Sequence, residues 1–188
     1  MKTSIGLLLL SISNLAWADW ALNNDQSKVS FVSIKKGTIA ENHYFKSVTG
    51  SITESGTVSI SIDLSSVETL IPIRNERMLN YLFEVASYPK ATITAQLDDK
   101  TLANIKKASS VQLTQVAELD LHGVKQNIQL ELQVNATNSG VYVNTIAPVI
   151  INAANFKLEG GVEKLRELAK LPNIALAVPV HATLNFSK

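Results

Sequence analysis

Residues 111–134 read VQLTQVAELDLHGVKQNIQLELQV, and this stretch decides the fold class. Leu113, Ala117, Leu119 and Leu121 alternate with Gln112, Thr114, Glu118 and Asp120. Beyond His122-Gly123 the alternation resumes, with Ile128, Leu130, Leu132 and Val134 set against Asn127, Gln129, Glu131 and Gln133. A period of two places apolar side chains on one face of a strand and polar ones on the other. His122-Gly123 between two such runs is turn chemistry of the hairpin kind. The segment is therefore predicted as two antiparallel strands with one dry face.

The same pattern extends in both directions. Upstream, Val58, Ile60, Ile62 and Leu64 alternate with Ser59, Ser61 and Asp63, and Ile93, Ala95 and Leu97 with Thr92, Thr94 and Gln96. Downstream, Ile174, Leu176, Val178, Val180, Ala182, Leu184 and Phe186 share one phase. Shorter strands are expected at Val29–Ile34, Val48–Thr53, Val141–Thr145 and Val149–Asn152, with turns at Ser55-Gly56 and Asn138-Ser139-Gly140. Eight or nine strands joined by hairpins make an antiparallel meander. A meander of that size removes its edges by closing into a barrel or folding into a sandwich. Two segments leave the alternation. Asn75–Ala86 carries Met78, Leu79, Leu82, Phe83 and Ala86 on one helical stripe, with Asn75 as the expected N-cap. Val162–Leu171 carries a second stripe after Gly160-Gly161.

The chain has 188 residues, 46% hydrophobic and 18% charged, which suits one folded domain. It contains no cysteine, so disulfides, thiol catalysis and thiolate metal sites are excluded. Residues 1–18, MKTSIGLLLLSISNLAWA, join a basic Lys2 to an apolar run and end in Ala16-Trp17-Ala18. That is a cleavable signal-peptide pattern, too short and interrupted for a comfortable span. Residues 19–188 would then be the mature domain, expected in the periplasm. Removing the signal takes away one lysine and no acid, leaving a formally neutral chain with no electrostatic case for nucleic acid.

Chemistry-bearing motifs are sparse. His43, His122 and His181 are scattered; Glu41-x-His43 offers two ligands without an evident third, so no metal is expected. No Gly-x-Ser-x-Gly, phosphate loop or serine triad is present, and no catalytic residue is assigned. Gly160-Gly161 reads as a helix start, with anion binding at its N–H groups the other reading. Asn135-Ala136-Thr137 matches a glycosylation acceptor by chance composition. Arg74-Asn75-Glu76-Arg77 has two open readings: a charged outer face, or Arg74 and Arg77 at a cavity mouth facing a ligand headgroup. An eight-stranded barrel is either filled by its own side chains or just wide enough for a ligand. Large fillers are scarce here, yet composition leaves both interiors open.

Three stretches resemble the YceI-like family of periplasmic polyisoprenoid- or lipid-binding proteins. Ser27-Lys28-Val29-Ser30-Phe31 is similar to its opening strand. The run from Val58 through Arg74-Asn75-Glu76-Arg77-Met78-Leu79, Phe83-Glu84 and Tyr88-Pro89-Lys90 is similar to its strand, charged helix and Tyr-Pro return. Leu119-Asp120-Leu121-His122-Gly123-Val124-Lys125 resembles its Leu-x-Leu-His-Gly-Val-x-Lys hairpin. The sequence departs from the pattern at Gln26, near a frequent His, and at Asn75, where Asp is common.

The resemblance implies a mainly β, lipocalin-like antiparallel barrel of about eight strands with one or two short amphipathic helices. It implies an apolar lipid held in the barrel as guest, with no cofactor, no stable membrane insertion and a possible homodimer. On side-chain size, Phe31, Phe45, Met78, Leu82, Phe83 and Phe156 are expected to line the cavity. Three rival readings remain open at this point. They are an outer-membrane barrel, which the few Tyr and Trp disfavour, a lipid-acting enzyme, and a stress protein without stoichiometric ligand.

Overall fold

A computed structural model describes residues 20–107, 109–137 and 139–187. The signal peptide expected at residues 1–18 lies outside the described residues. Eight strands form one antiparallel meander: β1 (Trp20–Leu22 and Lys28–Lys35), β2 (Ile39–Phe45 and Val48–Ile52), β3 (Thr57–Asp63 and Val67–Glu68), β4 (Lys90–Gln96), β5 (Ser110–Leu121), β6 (Val124–Ala136), β7 (Gly140–Thr145 and Val149–Asn152) and β8 (Ala177–Ser187). Each pairs with its successor, and β8 returns to β1 through Ala21↔Ser187 and Val180↔Phe31. The sheet thus closes as an eight-stranded, lipocalin-like barrel.

Four strands are written in two pieces because they bend at the barrel corners. A bend strands backbone groups that must find partners. Asn24, in the turn that interrupts β1, donates its side-chain amide to Lys46 O (3.0 Å) and accepts from Val48 N (2.8 Å), so it staples the bend of β1 to the bend of β2. Ser66, in the break of β3, accepts from Ser47 N (3.0 Å). Three adjacent strands therefore turn the same corner together.

The β5–β6 hairpin forms as expected, with Leu121 opposite Val124. His122 (φ 54°) and Gly123 (φ 71°) both take the left-handed conformation of a type I′ turn, whose twist matches the flanking strands. A Cβ on Gly123 would sit 2.9 Å from the ring of Tyr88, so the turn also needs glycine for space.

Connections alternate between the two barrel ends. One end carries the β2–β3 and β6–β7 turns and α2 (Asp99–Lys106). The other carries the β1–β2 and β5–β6 turns, α1 (Pro72–Arg77) and α3 (Glu159–Leu168). Three results differ from the sequence reading. The first helix begins at Pro72, not Asn75, and runs on into a π turn, Met78–Leu82. Asn75 caps nothing; its side-chain oxygen accepts from Thr69 N (2.9 Å). Second, α3 starts three residues before the expected Val162 and contains Gly160-Gly161. A Cβ at Gly161 would lie 2.5 Å from Tyr81 O, so glycine lets α3 dock directly on the backbone of the π turn. Third, α2 and the strand Ile39–Phe45 lie where the sequence reading places no element; Asp98 caps α2 through Thr101 N (2.6 Å), and Leu102 and Ile105 are buried.

Candidate binding cavity

Side chains of one phase on every strand point inward. Ile60 pairs with Ile93, and Ile93 with Leu119, so three strands set their branched residues at one level of the interior. These residues do not meet across the barrel. They enclose a cavity of about 240 Å³, to which all eight strands, α2 and the π turn contribute. Among the described residues of its lining, only Thr101, Gln115 and Thr145 have polar side chains. An engineered cavity of roughly 150 Å³ lined by Leu, Ile and Phe stays dry and takes apolar guests. The larger void here, with a similar lining, has the same chemistry.

The expected lining residues divide. Phe31, Phe45, Leu82 and Phe83 do line the cavity. Met78 and Phe156 do not: both are buried in the packed core that backs its wall. Size alone selected them, and size does not say which side of the wall a residue occupies. Most of the lining is instead aliphatic, such as Val58, Leu113, Ile128 and Val180. Strand phase carried that signal; the bulkiest residues did not.

Phe31, Phe45 and Phe83 form an aromatic row, with ring centroids 5.4 and 5.8 Å apart. The row divides the apolar cavity from a polar cluster near the α1 end. His43 lies edge-on to Phe31 at 5.4 Å and is only 2% exposed. Glu41 accepts from Lys35 Nζ and from Arg74 Nη1, both at 2.7 Å. The Lys35 hydrogen bond, helped by the charge of Arg74 and opposed by burial, holds the Glu41 carboxyl below its ordinary range. Burial first, then the Arg74 charge, pushes the His43 imidazole below its ordinary value. His43 Nδ1 and Arg74 Nε are buried and make no hydrogen bond to protein.

The two arginines expected to face a headgroup have other partners. Arg74 joins Glu41 to Thr69 O (2.7 Å), and Arg77 donates to Leu168 O (3.3 Å), tying the first helix to α3. Neither lines the cavity. The remaining histidines are far apart in the meander: His122 bonds Glu84 (2.8 Å) and His181 bonds Thr145 (3.2 Å). Among the described residues no three His, Asp or Glu side chains gather as a metal site would require.

The barrel wall is uneven. The β6–β7 ladder runs from Ala136↔Val141 to Leu132↔Thr145, and its last backbone bond is from Ile146 N to Glu131 O (2.8 Å). The second piece of β7 pairs with β8 only. Ile128 and Leu130 on β6, with Val149 and Ile151 on β7, therefore line the cavity on the two sides of a break in the ladder.

A closed eight-stranded antiparallel barrel with a hollow aliphatic interior is a lipocalin-like barrel. Within that class the chain belongs to the YceI-like domain family, whose pattern matches residues 20–186. It is similar to a solved polyisoprenoid binding domain from Saccharophagus degradans implicated in plant cell wall breakdown. The two are 37% identical over 91% of this chain and 99% of that one, with a TM-score of 0.86. It also shares its fold with Burkholderia cenocepacia BcnA, at 16% identity over 87% of this chain and 98% of that one, with a TM-score of 0.66. No curated protein matches the chain.

Proposed function

We propose that this protein binds a long apolar chain, of the polyisoprenoid, isoprenoid quinone or fatty-acyl class, inside the barrel, and sequesters or carries it through the periplasm after export on residues 1–18. One observation carries the reading: an internal cavity of about 240 Å³ whose lining, among the described residues, is apolar but for Thr101, Gln115 and Thr145. Burying an apolar chain there gains about 0.8 kcal/mol per CH2 before the cost of ordering it. The similar domain from Saccharophagus degradans, described as polyisoprenoid binding, supports the same ligand class. The function is binding, and no catalytic step is assigned.

Mass spectrometry of an organic extract tests this, on protein purified without detergent. An unaltered prenyl or acyl lipid near one per protein is expected. An empty extract, together with no uptake of a fluorescent fatty acid, rejects the carrier reading; a turnover product instead points to an enzyme. For the location, osmotic shock should release the protein. Recovery only from detergent-extracted membranes would contradict it.

A further inference from the structure

Leu70-Ile71-Pro72-Ile73, at the α1 end, are four consecutive exposed apolar residues. Leu70 is 81% exposed, Ile71 43% and Ile73 50%. Runs of this kind are avoided on a soluble surface unless they are used. Leu70 also has φ 61°, in the left-handed region that a leucine rarely adopts. The surroundings impose that conformation. The Glu68 carboxylate accepts from Leu70 N (2.7 Å) and from Asn75 Nδ2 (3.0 Å). Asn75 Oδ1 accepts from Thr69 N and Thr69 Oγ1, and Arg74 Nη2 donates to Thr69 O. Thr69, next in the chain, is buried. A polar scaffold anchored on buried Thr69 thus holds a strained leucine out in water. Strain kept at such a place points to a use outside the fold.

We propose that Leu70-Ile71-Pro72-Ile73 is a docking tip that inserts into the interfacial layer of a lipid bilayer. Several observations favour a bilayer over a protein partner. A stable protein interface needs about 800 Å² on each side, more than four side chains at one tip supply. A bilayer needs no matching shape. The helix that begins at Pro72 in the tip ends at Leu82, and Leu82 and Phe83 are in the cavity wall. The tip and the cavity wall are therefore two ends of one element. The inference builds on the proposed cargo, which is a membrane lipid class. Arg74 is committed to Glu41 and Thr69, so the attachment is apolar and needs neither anionic lipid nor low salt.

Flotation with phosphatidylcholine vesicles, in low and in high salt, tests the tip on the exported chain. Leu70→Gly suits the left-handed backbone, so the variant keeps the fold; Ile73→Ser is added to it. The wild type should float in both salts, and Leu70→Gly/Ile73→Ser should lose about tenfold or more of its vesicle binding. Leu70→Trp should keep binding and show a blue-shifted emission on vesicles. Val116→Ser, at an isolated exposed apolar residue of β5, should behave as wild type. Uptake of a fluorescent fatty acid in vesicle-free buffer should be equal in all of these. A wild type that takes up the probe but does not float, or floats equally after Leu70→Gly/Ile73→Ser, overturns the tip. So does a wild-type dimer, seen by ultracentrifugation, that the same variant dissociates, because the tip is then a self-association surface. A wild type that floats through the tip but takes up no probe overturns the carrier reading alone.

Discussion

At the scale of single residues, the interior holds one group whose charge the fold resists. His43 sits among Phe31, Lys35, Glu41 and Arg74, drawn from β1, β2 and α1. Protonating it would set a third positive charge beside a single carboxylate. Its folded pKa is lowered below the ordinary 6.5, chiefly by burial. The sign of the linkage follows. Near and below pH 6.5 the unfolded chain binds the proton and the folded chain does not, so stability is present above that value and is lost as pH falls through the folded pKa. Thermal melts from pH 7.5 down to 5 should show a falling Tm. Glu41 works in the same direction only at lower pH, because its pKa lies below the ordinary carboxylate value. His43→Leu should flatten the slope between pH 6.5 and 5 while leaving the acid limb of Glu41. A wild-type Tm that stays level over that range would contradict the assignment. Glu68 titrates lower still, its carboxyl held down to about 2 by Asn75, then Lys46, then the Leu70 N–H. The scaffold behind Leu70 should thus survive mild acid.

At the scale of elements, α3 tests how closely two backbones approach. Gly161 packs against Tyr81 O and the Leu82 Cα, where an added Cβ would come within 2.5 and 2.8 Å. Neither neighbour is the end of a flexible side chain, so Gly161→Ala should lift α3 off the π turn and cost about 1–3 kcal/mol. Gly160→Ala is the control, because nothing lies within 4 Å of its Cβ position; urea melts of the pair should separate them, and equal midpoints would refute the docking. The glycine pair was legible as a helix start, but its role was not, because the partner is 80 residues away in sequence. Most strands were legible, since residues such as Ile60 and Leu119 each declare a face by period alone; Ile39–Phe45 was not, because Glu41 and His43 stand on its inward face. The first helix was misplaced by three residues because Asn75 resembles an N-cap, whereas tertiary contact with Thr69 and Glu68 claims its side chain. The inner polar cluster was hidden for a similar reason. Lys35, Glu41 and His43 share the inward phase of Phe31 and Phe45, but a charged residue in a strand reads by default as solvated. Only closure of the barrel and the reach of Arg74 gather them, with His43 buried and Lys35 and Glu41 partly exposed beside it.

At the scale of the whole molecule, the barrel is hollow in the middle and weakest along one seam. Filling the hollow should separate binding from folding. Ala182 lines the cavity on β8 and is not fully packed. Ala182→Phe should occupy the space of the guest and lower affinity for a fluorescent fatty acid about tenfold or more, near 1.4 kcal/mol. Its melting temperature should stay near that of the wild type; undiminished affinity would place the guest outside the barrel. The seam follows from the hydrogen bonds. From Val124 to Leu130, β6 is paired to β5 on one side and has no ladder partner in β7 on the other. The opposing rim, Val149–Asn152, is tied only to β8. Parting Val124–Leu130 from Val149–Asn152 breaks no ladder bond, while opening any other pair does. Local opening should therefore concentrate here. In hydrogen-exchange NMR, β6 amides of residues 124–130 that face β7 should exchange at least about tenfold faster than those facing β5. A bound chain lying against Ile128, Leu130, Val149 and Ile151 should slow that exchange without altering amides at the Ala136↔Val141 end. Uniform protection along both faces of β6 would show that the wall is sealed by contacts other than the ladder, and that a guest must pass through a barrel end.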